Sequence, residues 1–434
     1  MPAPRLRDTH VTIEGTPGGR QQDGGDIVHN APSRLTAALE AHQPGDARCP
    51  EEAPMAETTN DVQIHRGLQG VYFDRSAVCD IDGRAGELWY RGYSIHELAE
   101  HSTFEETAYL LLHGDLPTAS QLREWSDALV AARTLPPEVV EVIRTVQRAH
   151  PMDVLRTAVS ALAVDDPDVA DNSPEATLRK AVRLTSQVPM IVAAHHRIRS
   201  GLEPLEPDAT LGHAANFLWL IKGERPSEDA ARLMDLDLIL HAEHGANASS
   251  FTARVVAATD ANLHAAVTSG VAALSGPAHG GAAENVMRMA QEIGEPEHAA
   301  AYVKALRDER KPVMGFGHRV YRTEDPRARH MRAGVKRLSE EMGQPKWFAI
   351  LEAVVEAMRP YARLGVNVNV DFYAGVVYYL HGIPEDLFVP IFAVGRTPGW
   401  CVSVLEQYAH NILIRPLTLY AGPAPRAYVG IEER

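Results

Sequence analysis

In the stretch LILHAEHGANASSFTAR, His241 and His244 stand three residues apart, just ahead of Gly245. At that spacing two side chains lie close to one face of a helix, which a following glycine can end. Such a pair can bind a substrate or a metal. The plain alternative is two core or cap histidines bonded to backbone. Zinc is the weaker reading, because a catalytic zinc takes a third ligand and the familiar helical spacing is i, i+4. In LSGPAHGGAAENVMRMAQEIG, His279 sits between Pro277 and two glycines, directly before a helical run. Glycines allow close approach of a substrate. The positive end of a helix dipole disfavours imidazolium, so a histidine here can stay neutral and donate a hydrogen bond to a developing oxyanion. A simple turn before a helix is the alternative.

The strongest local signal is KPVMGFGHRVYRTEDPRARHMR, residues 311–332, which holds one Lys and five Arg against one Glu and one Asp. A basic island inside a chain of formal net charge -15 calls for phosphates or carboxylates as its counterpart. Gly315 and Gly317 let backbone N–H groups approach a ligand, and His318 can polarise or protonate an oxygen near neutral pH. A solvated basic helix face suits Arg329 and Arg332 but leaves GFGH unexplained. Further on, NVNVDFYAGVVYYLHGIP places Asp371 between a short β-like run and an apolar helix. It reads either as a helix N-cap or as a carboxylate walled by Val370, Phe372 and Tyr373, partly desolvated and therefore a stronger base. Finally, Arg396 in IFAVGRTPGWCVSVLEQ and Arg415 in NILIRPLTLYAGP stand in apolar surroundings, with no acidic residue within a helical turn. A buried, unpaired guanidinium is costly, so each is expected to be buried or nearly so and to meet a carboxylate from elsewhere in the fold or from a ligand. Two such arginines suit a di- or tricarboxylate.

The elements that must hold these residues are mostly helical. GLQGVYFDRSAVCDIDGRAGELWYRGYSI alternates short apolar stretches around Asp82-Gly83, a hairpin dipeptide, and predicts a small β element. After it, Leu122, Trp125 and Leu129 recur at helix spacing, and Val139, Val142, Ile143 and Val146 follow the helix-starting Pro136-Pro137. Gly and Pro fall between periodic segments, as in GERP around Gly223 and HGIP around Gly382. The fold class is mainly α. Before Tyr72 there is no Phe, Trp or Tyr, and the segment before Met55 is rich in Pro, Gly and charge. Residues 1–54 are therefore expected to be a disordered extension, with at most a transient helix at 33–43.

With 434 residues and 45% hydrophobic content, the chain is expected to form two lobes with an extensive apolar interior. The negative charge argues against nucleic acid or an anionic membrane as main partner. Cys49, Cys79 and Cys401 form no CxxC pair and leave one over, which fits neither a disulfide framework nor a zinc ribbon and points to a reducing, cytoplasmic compartment. No uninterrupted apolar run reaches the roughly 18 to 20 residues of a membrane span, and no secretory signal block opens the chain.

Taken together, HAEHGANASSFTAR, SGPAHGG, GFGHRVYRTEDPR, NVDFYAG, GRTPGW and IRP, in that order, resemble the citrate synthase family from Gly67 to Arg434. LWYRGYSIHELAEHSTFEETAYLLLHGDLP and HPMDVLRT are similar to it as well. The resemblance implies a two-domain helical fold with a small N-terminal β element. The large domain would cover 55–274 and 375–434, with a smaller helical domain, 275–374, between them and the active site in the cleft. It implies that Asp371 removes a methyl proton from acetyl-CoA while His279 donates a hydrogen bond to the thioester oxygen, and that His318 polarises the ketone of oxaloacetate. His244, Arg327, Arg396 and Arg415 would hold the carboxylates, the last reaching into a partner subunit of a homodimer. CoA would lie along Met314, Gly315, Phe316 and Gly317, with Arg322 and Lys311 near its phosphates. No metal and no cofactor beyond the co-substrate acetyl-CoA are implied. Members regulated by NADH usually carry a longer β-rich N-terminal region, so this chain resembles the short, dimeric type.

Three other readings compete. A 2-methylcitrate synthase uses the same residues on propionyl-CoA. A metal-dependent hydrolase would be built from His241, His244, His279 and Asp371. A non-catalytic CoA-binding module would not need the full set of reactive residues.

Overall fold

The computed structural model describes residues 62–434; the leader expected at 1–54, its transient helix at 33–43 and residues 55–61 of the expected large domain lie outside them. Within Phe73–Arg434, which packs as a single unit, the first regular element follows the alternation in the sequence. β1 (Cys79–Asp82) and β2 (Glu87–Tyr90) pair antiparallel, Cys79 opposite Tyr90, and β3 (Tyr93–Ser94) pairs with β2. Leu88 and Tyr90, two apart, both face the core. The hairpin at Asp82-Gly83 is present, but not as a two-residue turn. Asp82 pairs with Glu87, Asp82 Oδ1 accepts the N–H of Arg84 and Ala85 at 2.8 and 2.9 Å, and the left-handed φ falls on Gly86 at 75°. The Asp82 side chain, by folding a longer loop around itself, takes over the role given to the Asp-Gly dipeptide.

Sixteen α-helices follow among the described residues: α1 (Ile95–His101), α2 (Phe104–His113), α3 (Ala119–Ala131), α4 (Pro137–Val146), α5 (Pro151–Ala161), α6 (Pro174–Arg199), α7 (His213–Lys222), α8 (Glu228–His241), α9 (Ala248–Ala257), α10 (Leu263–Leu274), α11 (Ala282–Ile293), α12 (Ala299–Asp308), α13 (Ala328–Glu341), α14 (Pro345–Met358), α15 (Asp371–Leu380) and α16 (Phe388–Ala409). Their ends are written locally. Ser94, Thr103, Ser173, Ser227, Asn247 and Asn262 each accept a first-turn N–H through the side chain, and Thr118 forms a capping box with Gln121. α4 starts at Pro137 and α7 stops at Gly223, φ 78°, as their punctuation predicts.

α6 and α16 pack on each other, and α16 also lies against α8, α9 and α10, so the two longest helices form the centre of the apolar interior. Within α16 and its short lead-in, Glu385–Ala409, an 18-residue window of mean hydropathy 1.3 is long and apolar enough to cross a membrane by composition alone, yet 94% of that window is buried within the fold. Its apolar surface is satisfied by neighbouring helices. α11, α13, α14 and α15 pack largely on one another, with α13 also touching α8. After α16 the chain runs from Asn411 without helix or strand until a 3-10 turn at Ile431–Glu433, leaving Ile412, Leu417, Tyr420, Tyr428 and Ile431 exposed.

Candidate active site

Two loops are laced together by main-chain hydrogen bonds. The N–H of Gly317 donates to the carbonyl of Asn367 at 2.7 Å, that of Asn369 to Gly315 at 2.9 Å, and that of Asp325 to Val368 at 3.0 Å. Asn369 Nδ2 adds a bond to the Gly317 carbonyl at 3.1 Å. The segment that carries His318 is thereby fixed beside the segment that leads into Asp371. This corrects the expectation for Gly317 alone: its N–H meets a protein carbonyl, because the two neighbouring segments satisfy their backbone groups on each other. Gly315 also has a steric role, since a Cβ there would stand 2.5 Å from Cδ2 of Phe372 and its φ is 76°. On its other side the His318 loop meets the hairpin tip, where the N–H of Arg322 donates to Gly83 at 2.8 Å and a Cβ on Gly83 would fall 2.3 Å from the Val320 carbonyl oxygen.

His318 Nδ1 accepts the main-chain N–H of Val320 and Tyr321 at 3.1 and 3.2 Å, which leaves the proton of a neutral ring on Nε2. Burial, and then the charge of Arg327, lower its pKa to about 4, so the ring is neutral at pH 7 and a donor through Nε2. His279 lies in the turn before α11, its N–H closing onto Gly276 at 2.9 Å. Its Nε2 accepts the N–H of Ser249 at 3.3 Å and faces the Ser249 hydroxyl at 2.9 Å, while Ser249 is itself held by Asn247 and by Trp400 Nε1 at 3.0 Å. With Nε2 accepting, the neutral ring donates through Nδ1. Burial, followed by the Arg396 charge, brings the pKa to about 4, so this ring too is neutral at pH 7.

Asp371 is the first residue of α15, one position past the N-cap, Val370. The capping alternative is therefore excluded by geometry. Its carboxylate accepts no hydrogen bond from a described residue. Val370, Phe372 and Tyr373 beside it are 1–2% exposed or less, and burial raises its pKa above 3.8 against the opposing charges of His241 and Arg327. A desolvated carboxylate without donors is a base waiting for a proton.

The helix end at His241 and His244 differs from the sequence expectation. α8 stops at His241 with Ala242 as its cap, and Gly245 comes four residues later, so His244 lies beyond the helix and the two imidazoles part. His241 Nδ1 meets the carbonyl of Asp237 at 2.8 Å and its ring packs on Phe392. His244 turns instead toward the His318 loop, its Nε2 3.0 Å from the Tyr321 hydroxyl and its ring centroid 5.1 Å from that of His318. Burial and then Arg327 press its pKa well below 6.5. Arg396 is 1% exposed, as its apolar context predicts. Its Nε donates to the His241 carbonyl at 2.6 Å, its guanidinium lies over Phe392, and its Nη1 is buried without a partner. Arg327 is also buried, but its Nε and Nη2 hold Asp325 at 2.9 and 2.7 Å. The three histidines of the metal reading are thus drawn to separate partners, and no group of three metal-ligating side chains converges among the described residues.

Not every candidate joins this cluster. Arg415 is exposed on the segment after α16, which overturns its expected burial within the chain; Ile412, Leu413 and Leu417 around it are exposed too. Lys311 is exposed and paired with Glu309 at 2.7 Å, and Arg322 is exposed near the hairpin tip. Met314 and Phe316 are partly buried, Phe316 edge-on to Phe372 at 5.0 Å. Ser249, Tyr321, Asp325 and Glu243 were not singled out in the sequence, although all lie inside the quoted motifs. Glu243 is 1% exposed, its Oε2 lacks a partner, and burial lifts its pKa to about 7 beside Arg396. Their place inside those motifs was the only signal, and it says nothing of direction.

Comparison with known proteins narrows what this arrangement is for. The family model described as citrate synthase, C-terminal domain, matches residues 67–417. Citrate synthase 2 of Bacillus subtilis is 44% identical over 371 residues, covering 85% of this chain and 99% of that protein. 2-Methylcitrate synthase 2 of Corynebacterium glutamicum is 40% identical over 383 residues, covering 87% and 99%. Among solved structures, the ternary complex of citrate synthase from Thermoplasma acidophilum with carboxymethyl coenzyme A and oxaloacetate is 29% identical, has a TM-score of 0.82, and covers 86% of this chain and 100% of that one.

Proposed function

The chain belongs to the citrate synthase family of acyltransferases, and from that premise we propose that it condenses acetyl-CoA with oxaloacetate through His279, His318 and Asp371. One observation carries the residue assignment: Phe392 packs under the Arg396 guanidinium at 4.9 Å and edge-on to the His279 ring at 6.1 Å, while the ring of His244, 5.1 Å from that of His318, feels both Arg396 and Arg327, and Arg327 also acts on His318 and Asp371.

In this reading the Asp371 carboxylate takes a proton from the methyl of acetyl-CoA, and His279 Nδ1–H donates to the thioester oxygen as it gains charge. The enolate carbon then attacks the ketone carbon of oxaloacetate, whose oxygen takes a proton from His318 Nε2, and the proton that Asp371 removed from the methyl makes good the ring's loss. Citryl-CoA results, and water cleaves its thioester to citrate and free CoA. Neutral imidazoles suit both tasks, because a ring whose imidazolium form has a low pKa keeps one N–H and no charge at pH 7, and that N–H donates to an oxygen on which charge develops. Arg396, through its unpartnered Nη1, would take a carboxylate of oxaloacetate, with Arg327 and His244 beside it. The Asp325 pair keeps Arg327 charged and fixed, since burial alone would lower its pKa and the carboxylate more than reverses that.

We place CoA along Met314–Gly317 with Arg322 and Lys311 near its phosphates, and a hinge between 275–374 and the rest that closes over the substrates. No metal or prosthetic group enters this chemistry. The exposed apolar residues after α16, with Arg415 among them, favour a homodimer in which that segment covers a second copy; sedimentation as a monomer at assay concentration would remove this part. The scattered cysteines favour the cytoplasm.

The decisive assay follows free thiol released from acetyl-CoA or propionyl-CoA with oxaloacetate, side by side. A higher kcat/KM with acetyl-CoA is expected. A strong propionyl preference would move the chain to the methylcitrate branch, and no thiol from either would end the reading.

A further inference from the structure

Tyr321 is 1% exposed and stands between the two imidazoles assigned to oxaloacetate. Its ring lies 4.7 Å from that of His318 at an interplanar angle of 33°, and 5.5 Å from that of His244 at 74°. Its hydroxyl is 3.0 Å from His244 Nε2, and its main-chain N–H donates to His318 Nδ1 at 3.2 Å. One residue therefore touches a nitrogen of each ring.

The direction of the hydroxyl bond follows from what else the phenol can reach. Among the described residues the Tyr321 oxygen has a single hydrogen-bond partner, His244 Nε2. A buried O–H with no acceptor loses its hydrogen bond to water and gains nothing in return. The phenol must then be the donor and Nε2 the acceptor. Burial raises the Tyr321 pKa, so the hydroxyl keeps its proton, and the same burial with two neighbouring arginines keeps His244 neutral. A neutral ring whose Nε2 accepts carries its proton on Nδ1.

We propose that Tyr321 is a positioning residue: its hydroxyl holds His244 as the Nδ1–H tautomer while its backbone helps hold His318 as the Nε2–H tautomer. The side-chain bond ties the segment after α8 to the His318 loop, so the rings that meet one substrate are fixed relative to each other before it arrives. The assignment deepens the condensation reading and rests on it for the identity of the substrate, but not for the tautomers.

Tyr321→Phe deletes one oxygen and keeps the ring that packs on His318. The half-saturating concentration of oxaloacetate should rise about tenfold, the loss of one buried hydrogen bond to a functional ring. That for acetyl-CoA, measured at saturating oxaloacetate, should stay within about twofold, a split that a general loss of structure would not give. Nitrogen-15 spectra of histidine-labelled protein without substrate should show His244 protonated on Nδ1 in the unaltered chain, with Nε2 shifted in the Phe variant. His244 protonated on Nε2 in the unaltered chain would overturn the proposal. So would an unchanged oxaloacetate requirement together with an unchanged Nε2 signal. The first spectrum needs no variant to fold and no activity, so a chain that releases no thiol would refute the condensation reading while leaving the tautomers to be read.

Discussion

Replacing Arg396 with methionine separates binding from folding, because the guanidinium has one bond to the protein and one nitrogen without any. Its Nε donates to the His241 carbonyl at 2.6 Å, whereas Nη1 is buried with no partner. Removing the charged donor to His241 costs about 1.5 to 3 kcal/mol, and removing the orphaned buried donor returns about 1 to 3 kcal/mol. The two nearly cancel. Glu243, whose pKa burial has already lifted to about 7, takes a proton more readily once the neighbouring charge is gone, which limits any further penalty. The ligand-free stability of Arg396→Met should therefore lie within roughly 1 to 2 kcal/mol of the unaltered protein in urea unfolding. Binding has no such compensation. A substrate carboxylate that meets methionine loses a charge-assisted hydrogen bond of about 3 kcal/mol, or roughly two powers of ten in affinity. Initial rates of thiol release against oxaloacetate, at saturating acetyl-CoA, should show a half-saturating concentration higher by that factor, and the rise in melting temperature produced by oxaloacetate should vanish. If the requirement moves by less than about threefold while the fold is intact, Arg396 does not hold the substrate and its orphaned nitrogen needs another explanation.

Asp371→Asn should lower turnover by at least about a hundredfold and leave oxaloacetate binding nearly unchanged by calorimetry; unchanged turnover would refute its role as base. Because burial raises the folded pKa of Asp371 above 3.8, ionising it costs stability as pH rises through that folded pKa. The Asn variant should then be as stable as the parent, or more so, at neutral pH, and the acid limb of the parent's kcat should lie above the ordinary carboxylate range; a limb at or below 3.8 would contradict the desolvation argument. Gly83→Ala puts a Cβ 2.3 Å from the Val320 carbonyl oxygen, and Gly83 has no left-handed φ to confuse the result. We expect a loss of about 1 to 3 kcal/mol in urea unfolding and a fall in kcat, as the hairpin tip is pushed off the His318 loop. Parental values of both would mean that the hairpin does not support the site.

The helices, their caps and the identities of the reactive residues are determined by the sequence alone, because each depends on neighbours within a few positions. The proline start of α4, the glycine stop of α7 and the apolar wall around Asp371 all need only local chain. The apolar runs around Arg396 and Arg415 look alike in sequence, yet Arg396 is buried over Phe392 and Arg415 is exposed. Only tertiary packing separates them: a helix such as α16 buries its arginine because other helices surround it, and among the described residues no helix surrounds the segment after it in the same way. The same holds for hydrogen-bond direction. That Gly317 donates to Asn367, that Ser249 meets His279, and that Tyr321 links two histidines depend on residues 50, 30 and 77 positions apart. A motif names the groups that can act on a substrate, but the proton each imidazole offers is decided by partners that only the folded chain brings within 3 Å or so.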